Sequence, residues 1–423
     1  MLNSIENDLA MAYKIASMAK EAGGSAYFVG GCVRDELMGM PLKDIDIEVH
    51  GITPKTLSDI LDTLGEKLVI GVSFGVFGLR GYDIDIAMPR TEKATGRGHR
   101  DFEIFVDPFL GVKKAAERRD FTVNAMMKDV LTGEITDCFN GREDLKNGII
   151  RHVNDVSFVE DPLRVFRAAQ FASRFGFEVD DGTVKLCSKV KLDALPSERV
   201  FSELEKALLL SEKPSVFFEV LRKMDQLGTW FPELGALIKK GKWEEAMRSI
   251  DLASALRKDA SYPEGFMLSS VCSSVADDDA SGAEKLLKRL TSERKLIRYV
   301  KNMTALKDKR IGSMAKKRRK LALFRVFDKS AAPSDLILFC RCASRDPEAG
   351  KEGYMELMTG YLEKFDELMS RPFVSGKDLI DAGIEPGTTY SDILSFAHDL
   401  RLKGTEKSKA LKLTVRYAES LKK

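Results

Sequence analysis

A chain of 423 residues, 44% hydrophobic and 31% charged, is long enough for two or more cores and too ordinary in composition to be disordered. Its formal charge of +2 carries no overall basic signal, so a surface for nucleic acid would have to come from local clustering of Lys and Arg. The cysteines Cys32, Cys138, Cys187, Cys272, Cys340 and Cys342 have neither C-x-x-C spacing nor the density of a disulfide scaffold, which suits a reducing cytoplasm, and no apolar run reaches the ~18 residues of a membrane span.

The N-terminal segment carries acids and a helical apolar spacing at Ile5, Leu9, Ala12 and Ala16, and reads as a first helix rather than a signal peptide. Ala26 to Val29 is a short apolar run ending in Gly30-Gly31, and Asp44 to Val49 alternates with the period of a strand. Further apolar runs at Leu68 to Val72, Val76 to Leu79 and Tyr82 to Ala87, separated by glycines, predict that the sheet continues by hairpins. Thr91 to Arg100 is polar with two glycines, the pattern of a mobile loop. From about Pro162 the period becomes helical. Asp161-Pro162 predicts a helix start, Leu163 to Arg174 an amphipathic helix carrying Arg164, Arg167 and Arg174, and Ser197 the start of another.

The chemistry concentrates in FVGGCVRDELMGMPLKDIDIEV, residues 28–49. In a strand Asp44 and Asp46 project from one face, and two adjacent carboxylates suit a pair of hard divalent cations that activate a hydroxyl and stabilise a departing pyrophosphate. Gly30-Gly31 lets backbone amides approach a triphosphate closely at a helix start. Asp161 and Arg164 stand at i and i+3, an acceptor and a donor that together could match the edge of either cytosine or adenine. An alternating D-I-D-I or a Gly-Gly is commonplace by itself. The ordered combination points to function.

The 28–49 segment resembles the first motif of the class II tRNA nucleotidyltransferase and bacterial poly(A) polymerase family, whose head is similar in its core to the DNA polymerase β palm. That resemblance implies Mg²⁺ ligation by Asp44 and Asp46, and phosphate contact by Gly30, Gly31 and Arg34. AAERRDFTVNAM is similar to the family's ribose-discriminating motif and offers Arg118, Arg119, Asp120 and Asn124. DCFNGREDLKNGIIRHV resembles the hinge motif, with Asp137, Gly141, Asp144 and Leu145 in matching positions. In EDPLRVFRAAQFASRFGF, Glu160, Asp161 and Arg164 match the nucleotide-selecting triplet, and Arg167 is placed with them at the nucleotide. LPSERVFSELEKALL resembles a neck motif that supports the base-reading helix. The strand GYDIDIAMPR offers Asp83 and Asp85 on one face, and by its distance from Arg90 the second of these is the more similar to the family's third acidic position, which makes Asp44, Asp46 and Asp85 the expected catalytic carboxylates.

Within the family, AMPRTEKATGRGHRDF is similar to the flexible loop of CCA-adding enzymes, and VIGVSFGVFGL stands where poly(A) polymerases carry a GRRF-like stretch. The tail VSGKDLIDAGIEPGTTYSDIL also resembles that of CCA-adding enzymes. The implied activity is addition of CCA to the 3′ end of tRNA from CTP and ATP. The alternatives are A-adding or CC-adding enzymes, a poly(A) polymerase, or a non-catalytic RNA-binding protein. The expected fold class is α+β, with a polymerase-β-like head of mixed sheet and helices over 1–148. An all-helical neck over 149–212, body over 213–330 and tail over 331–423 follow, the tail binding tRNA. An HD phosphohydrolase domain is excluded, because His398 is the one histidine past His152 and such a site needs several. Lys285 to Arg325 holds sixteen Lys and Arg against two acids, a candidate track for an RNA backbone.

Overall fold

Alternation of apolar and polar residues produces a sheet with one face for the core and one for chemistry. The computed structural model describes residues 5–71, 76–94, 102–275, 281–306, 316–343 and 353–421. These form two compact units, Met1–Pro232 and Glu233–Lys423.

The first unit begins with α1 (Ile5–Glu21), β1 (Ser25–Val29), α2 (Gly31–Leu37), β2 (Ile45–His50) and α3 (Pro54–Leu64). It continues through β3 (Lys67–Gly71), β4 (Val76–Leu79), β5 (Ile84–Ala87), β6 (Arg90–Ala94), β7 (Phe102–Val106), α4 (Val112–Glu117), β8 (Met127–Asp129) and β9 (Ile135–Thr136). Seven of these strands form one mixed sheet in the order β3-β4-β5-β2-β1-β8-β9, in which β2 and β5 are parallel and the other neighbours antiparallel. Ile45, Ile47 and Val49 of β2 are fully buried against Ala12, Ile15 and Ala16 of α1 and Leu57 and Leu61 of α3. The period of two therefore turns Asp46, Glu48 and His50 to the opposite face.

The polar stretch expected as a loop over 91–100 is in part a strand. Arg90–Ala94 pairs with Phe102–Val106, whose alternating apolar residues provide the partner ladder, and only residues 95–101 lie outside the described ones. Asp44 stands one residue before β2, not within it.

Helices follow: α5 (Gly141–Asn147), α6 (Asp155–Glu160), α7 (Arg164–Phe175), α8 (Asp181–Cys187), α9 (Ser197–Leu210) and α10 (Ser215–Lys223). One short sheet interrupts the helical run, because β10 (Ile149–Ile150) pairs in parallel with β11 (Glu178–Val179), two-residue strands too short to give a periodic signal. The helix expected from Asp161-Pro162 starts later, at Arg164. Asp161 is extended (φ −114°, ψ 98°) and closes α6, in keeping with the restriction that a following proline imposes. α7 packs between α9 and α10, and its Phe166 meets the rings of Phe217, Trp230 and Phe231.

The second unit is helical throughout its described residues. Pro263–Val275 is buried on nearly every side, and Asp335 beside it accepts from Ser261 N and Oγ (both 2.8 Å) and Tyr299 Oη (2.6 Å). Leu323, Phe324 and Phe327 form another cluster with Met358 and Phe365. His398 pairs with Asp328 at 2.8 Å, a packing role between helices. No helix among the described residues is long and apolar enough to cross a membrane.

Candidate active site

β2 delivers the central carboxylate. Because β2 and β5 run parallel with Asp46 opposite Asp85, these two side chains share one face of the sheet, and Asp44 lies close enough to act on both. Burial first, then the charges of Asp85, Asp44 and Asp83, push the Asp46 carboxyl up to about 6, although Arg119 pulls the other way. Burial and the neighbouring Asp83 and Asp44 raise Asp85 as well.

Such mutually repelling oxygen donors fit Mg²⁺, whose charge would relieve the repulsion. Among the described residues no three acidic, imidazole or thiol groups close around a ready-made metal position. That too is compatible with Mg²⁺, which usually keeps water and substrate phosphates in its shell. Protons should compete with the cation for this cluster. Affinity for Mn²⁺, read by electron paramagnetic resonance, is therefore expected to fall steeply as the pH drops through about 6, and a flat profile between pH 5 and 8 would contradict the carboxylate assignment.

The glycine turn lies directly beside Asp46. Gly30 has φ 68° and ψ −129°, a conformation costly for a side chain, and a Cβ there would lie 3.2 Å from Arg119 Nη1 and 3.8 Å from Asp46 Oδ2. Arg34, one turn into α2, is buried and braced. Its Nη2 pairs with Asp35 at 2.6 Å, its Nη1 donates to Asn124 Oδ1 at 2.6 Å, and its guanidinium lies over the rings of Phe171 and Phe175 of α7.

From the RRDFT segment, Asp120 accepts from Phe121 N (2.8 Å) and Asn124 Nδ2 (3.0 Å) and pairs with Arg167 at 2.6 Å. Burial alone would raise the Asp120 carboxyl, but the Arg167 charge and the Asn124 amide hold it below its ordinary value. Arg167 reaches on toward Glu203 of α9, at 3.9 Å.

The Arg164 N–H donates to the Asp161 carbonyl at 3.0 Å, and the two side chains have further partners. Asp161 accepts from Leu163 N at 3.1 Å and is held by Arg199 of α9 at 2.9 Å, while Arg164 donates to the carbonyls of Ser157 and Arg118, both at 2.6 Å. Arg199 belongs to the segment LPSERVFSELEKALL, which thus holds Asp161 directly.

These groups meet in one cleft of about 430 Å³ lined by Gly30, Gly31, Arg34, Asp46, Arg119, Asp120, Asn124, Asp161, Arg164 and Arg167. Asp44 and Asp85 do not line it, and reach it through their charges on Asp46. Sequence reasoning passed over Gln170, Phe171 and Lys206 in its walls, named Arg118 only within the ribose motif, and gave no site role to Arg174. The helical period held a signal for most of these: Arg164, Arg167, Gln170, Phe171 and Arg174 follow steps of three and four along one face of α7. With Arg34, Arg118, Arg119 and Lys206 the wall carries seven basic side chains against three carboxylates, a surplus suited to a triphosphate.

Below the cleft, the hinge segment is tied by Asp137, whose carboxylate accepts from Gly141 N (2.8 Å) and Arg142 N (2.9 Å), and by Asp144, which accepts from Thr122 Oγ1 (2.7 Å) and Arg151 Nε (3.1 Å). Gly141 is required there: a Cβ would lie 2.2 Å from the Thr122 carbonyl oxygen.

Residues 26–151 match the poly A polymerase head domain, and residues 176–238 match a probable RNA and SrmB-binding site of polymerase A. The chain is 35% identical over 269 residues to a Multifunctional CCA protein of Haemophilus ducreyi, covering 60% of this chain and 64% of that one. It is 42% identical over 215 residues to the Multifunctional CCA protein of Laribacter hongkongensis, covering 50% and 51%. The chain thus spans between half and two thirds of the length of these curated relatives. Among solved structures, the Bacillus stearothermophilus CCA-adding enzyme in complex with CTP is similar at a TM-score of 0.73 and 22% identity, over 98% of each chain. The Thermotoga maritima CCA-adding enzyme complexed with tRNA is similar at 0.68 and 22%, also over 98% of each. At that identity the likeness concerns the fold. The two matched segments stand in order along the chain, and the cleft runs from the first of them into α7, so the chain is similar to these proteins in both sequence order and site.

Proposed function

We propose that this protein adds CCA to the 3′ end of tRNA, taking CMP twice from CTP and AMP once from ATP and releasing pyrophosphate each time. One observation carries the reading: a single cationic cleft joins the Asp46 carboxylate, the Gly30-Gly31 turn, the Asp120 and Asn124 pair, and the Asp161 and Arg164 pair. Relatives named as CCA proteins support it.

In this mechanism Asp44, Asp46 and Asp85 would hold Mg²⁺, which would lower the pKa of the RNA 3′-hydroxyl and stabilise charge on the departing pyrophosphate. The glycine turn and the basic wall receive the triphosphate. Asp120 and Asn124 accept from and donate to ribose hydroxyls, and Arg167 keeps Asp120 ionised for that purpose. Asp161 and Arg164 face the base, the first held by Arg199 and the second by two carbonyls, so each acts from a braced position. No protein side chain is needed as general base.

The working division is head 1–148, neck 149–212, body 213–330 and tail 331–423, with tRNA held by the helical regions. Part of the basic run is neutralised, since Arg289 forms a two-pronged pair with Glu233 (2.7 and 2.8 Å) and Lys288 and Lys301 both pair with Glu284. Arg294 and Arg298 line a groove on helix Arg294–Leu306 and form the proposed contact with RNA phosphates, a sequence-neutral kind of recognition. KKRRK begins the next helix, while residues 307–315 of the basic run lie outside the described ones. The reading places the enzyme in the cytoplasm, a compartment consistent with free thiols at all six cysteines.

The deciding assay supplies tRNA lacking its last three, two or one nucleotides with CTP and ATP, singly and together. Completion to CCA and no further is expected. Addition of A alone or of CC alone would assign a partial enzyme, a long A tract would assign a poly(A) polymerase, and Mg²⁺-independent silence would leave an RNA-binding protein.

A further inference from the structure

Glu48 lies on the same face of β2 as Asp46, one strand period further on, and is fully buried. It accepts from Arg118 Nη2 at 3.1 Å and Arg119 Nη2 at 3.3 Å, and its other oxygen meets His50 Nε2 at 3.0 Å. His50 is itself fixed edge-on against Tyr27, with ring centroids 5.2 Å apart. The carboxylate is thus gripped from one side and grips two guanidiniums on the other.

The second arm of Arg119 points elsewhere. Its Nη1 and Asp46 Oδ2 both lie within 4 Å of the point a Cβ on Gly30 would occupy. Among the described residues Arg119 nonetheless pairs with Glu48 and not with Asp46. Glu48 and Asp46 therefore compete for one partly buried guanidinium, and the one that wins determines whether Asp46 stays open.

We propose that Glu48 is a positioning residue that holds Arg119 off Asp46, leaving that carboxylate open to a divalent cation and the guanidinium over the glycine turn for the phosphates of the nucleotide. The physical reason is the cost of leaving a partly buried charge unpaired: once Glu48 is neutral, Arg119 turns to the carboxylates that remain around it, Asp120 and Asp46, and of these Asp120 is already engaged by Arg167. Asp46 would then be paired with a cation of the protein and lost to the metal. This inference rests on Asp46 being a metal ligand.

The test uses the full-length protein and Mn²⁺ as the probe, with affinity read by electron paramagnetic resonance. Glu48→Gln keeps the size and an acceptor, and should weaken Mn²⁺ binding by about ten- to a hundredfold, the range typical for losing a supporting group behind a metal ligand. It should also raise the KM for CTP more than it lowers kcat, while thermal unfolding reports whether the fold survives. Adding Arg119→Met to Glu48→Gln removes the competing cation and should restore Mn²⁺ affinity without restoring turnover. Arg119→Met alone should bind Mn²⁺ at least as tightly as wild type, which keeps the test open even if Glu48→Gln fails to fold. Wild-type Mn²⁺ affinity in Glu48→Gln, or no recovery in the double variant, overturns the positioning role. If Asp46→Ala leaves Mn²⁺ binding unchanged, the metal reading itself falls and this inference with it.

Discussion

Replacing Asp46 with alanine should abolish nucleotide incorporation, by about a thousandfold or more, while tRNA binding and the fold remain. Three decades of rate correspond to roughly 4 kcal/mol of transition-state stabilisation, which is within what a metal-holding carboxylate supplies. The accompanying stability change has a definite sign. The folded-state value of about 6 lies above the ordinary Asp value of 3.8, so ionised Asp46 opposes folding at neutral pH, and this opposition is lost as the pH falls through about 6. Asp46→Asn should therefore raise the melting temperature of the metal-free protein at pH 7 and leave it nearly unchanged at pH 4. Filter binding with tRNA, single-turnover incorporation and a pair of melting curves suffice. Turnover within tenfold of wild type, or a variant less stable at pH 7, would be incompatible with a repelled, metal-seeking carboxylate.

Asp120→Ala should act in the opposite direction on stability. Asp120 is a buried anion that compensates Arg167 and accepts from the Asn124 amide and the Phe121 N–H. Its removal leaves a partly buried guanidinium with Glu203, 3.9 Å away, and the charge of Asp161 for compensation, a kind of defect that costs up to about 3–5 kcal/mol. At about 2–4 °C per kcal/mol for a unit of this size, the melting temperature should drop by roughly 10 °C. Asp120→Asn should fall between, since an amide can keep a bond to Phe121 N–H but cannot balance Arg167. The sign with pH is again fixed: a carboxyl held below its ordinary value stabilises the fold above the unfolded pKa, and that contribution is lost on acidification through the lowered folded value. The melting difference between wild type and Asp120→Ala should narrow in acid. A difference that is already below 2 °C at pH 7 would show that Arg167 has another adequate partner.

Two aspartates of the same cleft are thus expected to respond oppositely to truncation, and the difference lies in their neighbours. Asp46 faces Asp85, Asp44 and Asp83, with Arg119 engaged elsewhere, whereas Asp120 faces Arg167 directly. The first arrangement leaves charge to be met by a cation from solution. The second is complete within the protein.

Much of the site was legible in local pattern. A strand period of two places Asp46 and Glu48 on one face, a Gly-Gly at a strand end marks a close approach, and the order of the motifs along the chain carries the family resemblance. Local pattern misjudged boundaries where the chain environment intervened: Asp161 is extended ahead of its proline, which delays α7 to Arg164, and Arg90–Ala94 is a strand because Phe102–Val106 gives it a partner.

By itself, the sequence determined which residues are candidates for the chemistry and the alternation that sets the carboxylates of β2 apart from the core, because those follow from spacing along a few residues. Only the tertiary structure decided who is paired with whom. Glu48 meets Arg118 and Arg119 across 70 and 71 residues, Asp161 meets Arg199 across 38, and Arg167 meets Asp120 across 47. Charge compensation falls off with distance in space and is indifferent to distance along the chain, so which acid stays free for a metal is settled only when the sheet and α7 close around the same cleft.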